Sequence, residues 1–257
     1  MSAAAEPVLF EESAGIATIT LNRPHVRNAA DSAMAHAMAE IVDHLNQRND
    51  LRVAILTGAG GTFCSGMDLK AFVLGERSSI PGRGFAGFTA RPPAIPVIAA
   101  VEGAAVAGGC ELVLACDLVV AGQSARFGIP EVKRGLVAVG GALLKLPQRI
   151  PHQVAMEWIL TGDLFTAKRA HALGLVNHLA PDGGALTMAR ELAERVAANG
   201  PLALRASKEI VTASRGWTPD EAYDRQFAIA RVAMESEDAR EGARAFAEKR
   251  SPVWSGR

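Results

Sequence analysis

Short apolar segments, separated by helical patterns, fill the first half of the chain and restrict its fold more than any other feature. The clearest are "RVAIL" at 52–56, "PVIAAV" at 96–101 and "DLVVA" at 117–121. Such runs are typical of strands buried on both faces, which occur in largely parallel sheets covered by helices. "GIATITLN" at 15–22 alternates and predicts another strand, while "EESAG" at 11–15 predicts a turn.

Helical patterns begin after Asp31, a candidate N-cap. The apolar stripe of the helix that follows it is Met34, Met38, Ile41 and Leu45. From about residue 140 onward nearly the whole chain has a helical pattern, and Thr218 with Glu221 forms a capping box there. We therefore expect an α/β core over 1–196 and a helical module over 197–257.

Composition excludes several classes of function. Basic and acidic residues number 27 each and the pI is about 7.0, so the charge offers no footprint for nucleic acid or an anionic membrane. No apolar run reaches the roughly 20 residues of a membrane span, and "MSAAAEPVLFEES" does not resemble a signal peptide. The three cysteines, Cys64, Cys110 and Cys116, predict buried, reduced thiols in a cytoplasmic protein. The six histidines show no ligand spacing, so we expect no metal.

Glycines follow a predicted strand in "GAGGTFCSGMDLK" at 58–70. A nucleotide-binding loop is one interpretation, but neither G-x-G-x-x-G nor Gly-Lys-Ser/Thr is present. A flexible turn is the alternative.

Two glutamates are candidates for acid–base chemistry. Glu111 interrupts the apolar stretch "AVAGGCELVLACDLVVAG" at 105–122, where a carboxylate is rarely buried without a partner or a function. A helix cap or an arginine partner is the structural alternative. Glu131 follows Pro130 in "RFGIPEVKRGL", where an exposed turn residue is the alternative. The spacing allows a helix, a strand and a return turn, so the two could meet.

An ordered set of motifs then resembles the enoyl-CoA hydratase/isomerase, or crotonase, family. They are "TLNRPHVRNA", "FCSGMDLK", "AAVEGAAVAGGCELVLACDLVVAG", "ARFGIPEVKRGL", "LTGDLFTAKRAHALGLVNHL" and "ARAFAEKR", spread over nearly the whole chain. The resemblance implies a spiral of strand-strand-helix turns with a C-terminal helical oligomerisation module. It also implies a homo-oligomer, either a trimer or a dimer of trimers.

The resemblance implies chemistry on acyl groups held as coenzyme A thioesters. Backbone N–H groups of Met67 and Gly108 would hold the enolate oxygen in an oxyanion hole. Glu111 would activate the water that attacks C3, and Glu131 would deliver a proton to C2. Family isomerases usually use a single acid–base group at the second position, so the pair favours an enoyl-CoA hydratase or its reverse.

The resemblance also assigns substrate and coenzyme A contacts. These residues are Arg27, Ser65, Asp68, Lys70, Gly109, Phe246 and Lys249. A solvated lysine is the alternative for Lys70, and surface exposure is the alternative for the other basic residues. The coenzyme A belongs to the substrate, so no separate cofactor is expected.

Departures from the family pattern, at 137–147 and in the glycine-rich stretch 72–95, leave the acyl chain open. The remaining alternatives are an enoyl-CoA isomerase, a specialised acyl-CoA dehydratase, and a non-catalytic relative that binds acyl-CoA or RNA. Neutral charge argues against RNA, and the glutamate pair argues against a non-catalytic role.

Overall fold

The computed structural model describes residues 6–257, so residues 1–5 of the stretch compared with signal peptides lie outside the described residues. The strands are β1 (Val8–Ser13), β2 (Ile16–Leu21), β3 (Val53–Gly58), β4 (Ser79–Ile80), β5 (Gly84–Phe85), β6 (Val97–Val101), β7 (Ala104–Val106), β8 (Leu118–Gly122), β9 (Arg126–Gly128), β10 (Phe165–Thr166) and β11 (His178–Ala180). The helices are α1 (Ser32–Gln47), α2 (Leu69–Val73), α3 (Gly108–Ala115), α4 (Ala142–Lys145), α5 (His152–Thr161), α6 (Ala167–Ala172), α7 (Ala185–Ala197), α8 (Pro201–Ala213), α9 (Pro219–Met234) and α10 (Glu237–Glu248).

The main sheet has the order β1-β2-β3-β6-β8-β11, and every pair except β1–β2 is parallel. A smaller sheet, β10-β9-β7, carries one parallel pair, β7–β9. The predicted buried strands and the mixed α/β class are thus confirmed. The helical character of the C-terminal region is also confirmed, since α8, α9 and α10 follow one another there.

Alternate residues of the central strands pack into different layers. Ala54 and Leu56 of β3 face the large core that includes α1 and α3, whereas Val53 and Ile55 face α7. The face of α7 toward the sheet is a stripe of alanines at four-residue spacing, which lets the helix lie close to the strands. Helices on both faces explain why these strands are apolar on both sides.

The predicted starts of two helices are confirmed. Asp31 caps α1 by accepting a hydrogen bond from the backbone N–H of Met34 at 2.9 Å. Thr218 and Glu221 form the capping box at the start of α9. The division at residues 196 and 197 stays a prediction.

One local prediction was wrong, and one was incomplete. Residues 11–13 of the expected turn are the end of β1, and only Ala14 and Gly15 turn the chain. The polar side chains of β1 suit an exposed edge strand paired with β2 on one side only. The region after residue 140 also contains β10 and β11, because earlier strands offer these short segments open edges.

Candidate active site

Three parallel backbone segments bring the predicted site together. Cys64 pairs with Ala105 through an isolated bridge, and Ala105 pairs with Phe127 between β7 and β9. The C-terminal ends of adjacent parallel strands lie at the same edge of a sheet, so the residues that follow these three segments lie close together. Met67 follows the first segment, α3 with Glu111 follows the second, and Glu131 follows the third. Sequence separation therefore does not keep these residues apart.

The backbone N–H groups of Met67 and Gly108 are available for a ligand. Ala30 bridges to the Met67 segment by donating to Gly66 O at 2.8 Å and accepting from Asp68 N at 2.9 Å. This pattern leaves the N–H of Met67, like that of Gly108 in the first turn of α3, without a hydrogen-bond partner within residues 6–257. A Cβ built on Gly66 would lie 3.2 Å from Gly108 N, so the two segments are in contact. Free N–H groups at a helix start favour an anion.

Gly108 and Gly109, which begin α3, are needed because there is no room for a side chain, not because of their backbone conformation. A Cβ on Gly108 would collide with the ring of Phe85, and a Cβ on Gly109 would collide with the carbonyl oxygen of Cys64. The conformational strain is borne by Ala107, whose φ of +51° places an alanine in a region that favours glycine. The turn between β7 and α3 is therefore tightly defined.

Glu111 is buried, with 4% of its surface exposed. Its Oε1 accepts a hydrogen bond from Ala142 N at 3.2 Å, at the start of α4. Burial raises the pKa of the Glu111 carboxyl, and the charge of Glu131 adds to this, while the backbone N–H groups of Ala142 and Gly140 oppose it. The predicted structural alternative is present in part, since Glu111 contacts the start of a helix. It has no arginine partner in the part of the chain that the structure describes.

Glu131 lies in a short 3-10 helix, Pro130–Arg134, and is half-buried. Its Oε2 is buried and has no hydrogen-bond partner among the described residues. Burial raises the pKa of this carboxyl, and nearby Arg134 acts in the opposite direction. A buried acceptor without a partner is costly in a folded protein, so this atom is a candidate for ligand contact or for proton transfer. An exposed turn residue, the alternative interpretation, does not describe this side chain.

A polar network that sequence reasoning missed supports the Met67 segment. Arg23 pairs with Asp31 at 2.9 Å and with Asp68 at 3.2 Å. Asn28 is fully buried and donates through Nδ2 to Ala59 O at 2.9 Å and Thr62 O at 2.7 Å. The polar cluster "NRPHVRN" is the available signal, since buried polar groups of this kind fix a loop.

The predicted coenzyme A contacts divide into two groups by position. Ser65 N donates to Arg27 O at 3.0 Å, so these two residues lie beside the Met67 segment, with Lys70 exposed nearby on α2. The carboxylate of Asp68 caps α2 by accepting from Lys70 N and Ala71 N, which gives it a structural role. Ligand contacts of these residues stay predictions, as does that of Gly109.

Phe246 and Lys249 lie at the far end of α10 and are not brought to the carboxylates by any contact within residues 6–257. Phe246 is 87% exposed, and Lys249 caps the end of the helix. The tail after α10 returns toward the other side of the core, where Trp254 donates to Ala198 O at 2.8 Å. Contacts of Phe246 and Lys249 with coenzyme A stay predictions.

Comparisons with known proteins give a consistent result. A family model described as "Enoyl-CoA hydratase/isomerase" matches residues 11–257. The chain is 42% identical to "Enoyl-CoA hydratase EchA19" of Mycobacterium tuberculosis, over 97% of this chain and 96% of that protein. It is 41% identical to "Carnitinyl-CoA dehydratase" of Proteus mirabilis, over 93% and 94% of the two chains. The crystal structure of enoyl-CoA hydratase EchA1 from Mycobacterium marinum is 56% identical, covers 98% of this chain and 100% of its own, and superposes with a TM-score of 0.96.

Proposed function

Because the chain belongs to the enoyl-CoA hydratase/isomerase family, we propose that it adds water across the 2,3 double bond of a trans-2-enoyl-CoA. The product is a 3-hydroxyacyl-CoA, and the coenzyme A is part of the substrate rather than a separate cofactor. The proposal rests on the buried, unpartnered Oε2 of Glu131, a group whose charge adds to the effect of burial in raising the pKa of the buried carboxyl of Glu111. Two acid–base groups are what hydration needs.

The site residues divide the reaction into proton transfers and charge stabilisation. Ionised Glu111 takes a proton from water as the water oxygen bonds to C3. Electrons of the double bond move toward the thioester, and the N–H groups of Met67 and Gly108 hold the resulting oxyanion. Protonated Glu131 then gives its proton to C2, and the enolate collapses to the saturated thioester. A carboxyl whose pKa burial raises is suited to this donation.

Dehydration of a 3-hydroxyacyl-CoA is the second candidate function, because it reverses the same steps. The identity to the carnitinyl-CoA dehydratase relative favours testing this direction with carnitinyl-CoA as well. An isomerase needs only a shuttle of one proton between C2 and C4. Isomerisation adds no water, so it does not need Glu111 as a base that activates water.

The test follows the absorbance of the enoyl-thioester band. Hydration of crotonyl-CoA decreases this absorbance, and dehydration of 3-hydroxybutyryl-CoA increases it. We expect turnover by the wild-type protein, and a loss of roughly 10²–10⁴-fold in Glu111→Gln and in Glu131→Gln. The amide keeps the shape of each side chain, so both variants should fold and still bind butyryl-CoA. Glu209→Gln, on the exposed face of α8, is the matched control. Near-normal turnover in either site variant would remove that residue from the mechanism.

The described residues do not point to a metal site, a membrane-spanning helix or a cysteine nucleophile. Within residues 6–257 there is no group of three or more His, Cys, Asp or Glu side chains placed to hold a metal ion. None of the helices in that range is both long and apolar enough to cross a membrane. Burial raises the pKa of Cys64, Cys110 and Cys116 to about 12, so these unpaired thiols are poor nucleophiles.

A further inference from the structure

A groove with a volume of about 1000 Å³ lies near Glu111, which is not among the residues that line it. The segment 84–90 forms one wall, the segment 139–145 another, and α8 a third. Apolar side chains line much of it, among them Val139, Leu144 and Val211. Both lysines that line the groove already have partners within the chain. Lys145 donates to Thr89 O at 2.9 Å, and Lys208 forms a salt bridge with Asp117 at 2.7 Å.

Only a thin partition separates this groove from Glu111. Gly140 lines the groove, yet a Cβ built on it would collide with the carboxylate of Glu111. The same Cβ would lie 3.0 Å from Cβ of Phe85. Gly140 therefore stands between the carboxylate and the groove, and Phe85 packs against it between Gly84 and Thr89, which both line the groove.

The ring of Phe85 also reaches the start of α3. A Cβ on Gly108 would collide with three carbons of that ring, so the ring lies against the backbone that carries the candidate oxyanion donor. Phe85 is 5% exposed. The ring thus lies against the first residue of α3, the helix that carries Glu111, and Cβ of Phe85 lies near Gly140, the residue packed against the Glu111 carboxylate.

The backbone around Phe85 fixes the ring in this place. Phe85 N donates to Thr89 Oγ1 at 3.0 Å, and Ala86 N donates to Ser78 O at 2.7 Å. Gly84 and Ala86 both have positive φ, at +78° and +49°. A tight, hydrogen-bonded turn therefore holds the ring, which is consistent with a fixed wall.

We propose that Phe85 determines acyl-chain length by ending the acyl site beside Glu111. The inference rests on the proposed function, since it places the acyl chain at this site. With Phe85 present, the protein takes short acyl chains. Replacing the ring with a small side chain opens the site into the apolar groove and admits long chains.

Binding of saturated acyl-CoAs tests this without turnover. Butyryl-CoA and dodecanoyl-CoA are titrated by calorimetry into the wild type, Phe85→Ala and the control Phe72→Ala, an exposed phenylalanine of α2. Each methylene buried tightens binding by about fourfold. We expect Phe85→Ala to bind dodecanoyl-CoA at least about tenfold more tightly than the wild type does. Butyryl-CoA affinity should change far less, and Phe72→Ala should change neither.

Adding Leu144→Arg to Phe85→Ala should remove the gain, because Leu144 lines the groove. Phe85→Leu provides a milder opening if Phe85→Ala does not fold, with the same expected direction. The proposal is overturned if the wild type already binds dodecanoyl-CoA much more tightly than butyryl-CoA, or if opening the partition changes both affinities equally. It is also overturned if neither ligand binds. If the acyl-CoAs bind with the expected dependence on chain length but crotonyl-CoA is not hydrated, the proposed function is rejected and the role of Phe85 is retained.

Discussion

Individual residues of this site are placed at a cost to stability. Glu111 is almost fully buried, and burial raises its pKa. A carboxyl whose folded-state pKa is raised stabilises the fold below its unfolded-state pKa, and this contribution is lost as pH rises through the folded-state pKa. The ionised form needed for water activation is therefore the form that the folded protein tolerates least.

Glu111→Gln should consequently melt at a higher temperature than the wild type at pH 8, because the variant buries no charge. The difference in melting temperature between the variant and the wild type should become smaller as pH falls toward about 4.3, the ordinary glutamate pKa. Thermal melts across this range provide the measurement, with Glu209→Gln as the exposed control. A variant that is less stable than the wild type throughout would show that the carboxylate is a net structural support.

Gly108 and Met67 should respond differently to substitution, since the proposed donors are backbone N–H groups. Met67→Ala keeps its donor and should retain most turnover with crotonyl-CoA. Gly108→Val should lose at least about 10²-fold, because its side chain meets the ring of Phe85 and displaces the backbone. Melting temperature is followed alongside to separate misfolding from loss of activity. Equal losses of turnover in the two variants would contradict the backbone-donor assignment.

At the scale of elements, the site depends on how β7, β9 and the segment 64–67 lie side by side. The loop 23–30 supports the outermost of these segments, since Ser65 N donates to Arg27 O and Ala30 N to Gly66 O. Asn28 fixes the loop with a φ of +55° and hydrogen bonds to Ala59 and Thr62. The conformation of this loop is therefore part of the geometry around Met67.

Asn28→Ala should destabilise the protein by about 1–3 kcal/mol, since it leaves two partly buried carbonyl oxygens without their donor. Turnover of the folded fraction should also fall, because the Met67 segment loses its support. Chemical denaturation and crotonyl-CoA kinetics measure the two effects. Asn199→Ala, at an exposed helix end, is the control. A stable variant with normal turnover would show that the loop does not position Met67.

The sequence predicts the elements better than it predicts their junctions. The parallel strands and the cap at Asp31 follow from local apolar patterns and capping chemistry. The edge strand β1 does not, because its polar residues resemble a turn until β2 provides a partner. The position of Phe85 was also out of reach, since it depends on packing between segments 23 and 55 residues apart in the chain.

On the scale of the whole molecule, the C-terminal helices leave much apolar surface uncovered. The exposed side chains in this region include Val211, Phe227, Val232, Met234 and Phe246. Apolar surface of this extent is typical of an interface between subunits. A trimer or a pair of trimers, with α9 and α10 at the contacts, remains our prediction.

Light scattering at micromolar concentration should give the mass of a trimer or hexamer. Phe227→Ser, which removes an exposed aromatic side chain from α9, should shift the population toward smaller species. Phe72→Ser, on α2 outside the helical tail, is the matched control. A wild-type protein with the mass of a monomer would contradict the predicted assembly.

The fate of solvent atoms in the product shows whether both carboxylates take part in hydration. Crotonyl-CoA is incubated with the wild type in heavy water, and the product is examined by nuclear magnetic resonance and mass spectrometry. If both carboxylates act in hydration, the product is 3-hydroxybutyryl-CoA with a hydroxyl oxygen from water at C3 and one deuterium at C2. Both incorporations should be strongly reduced in Glu111→Gln and Glu131→Gln. Movement of the double bond without gain of a water oxygen, or no conversion despite tight binding of butyryl-CoA, would contradict this role of the carboxylates.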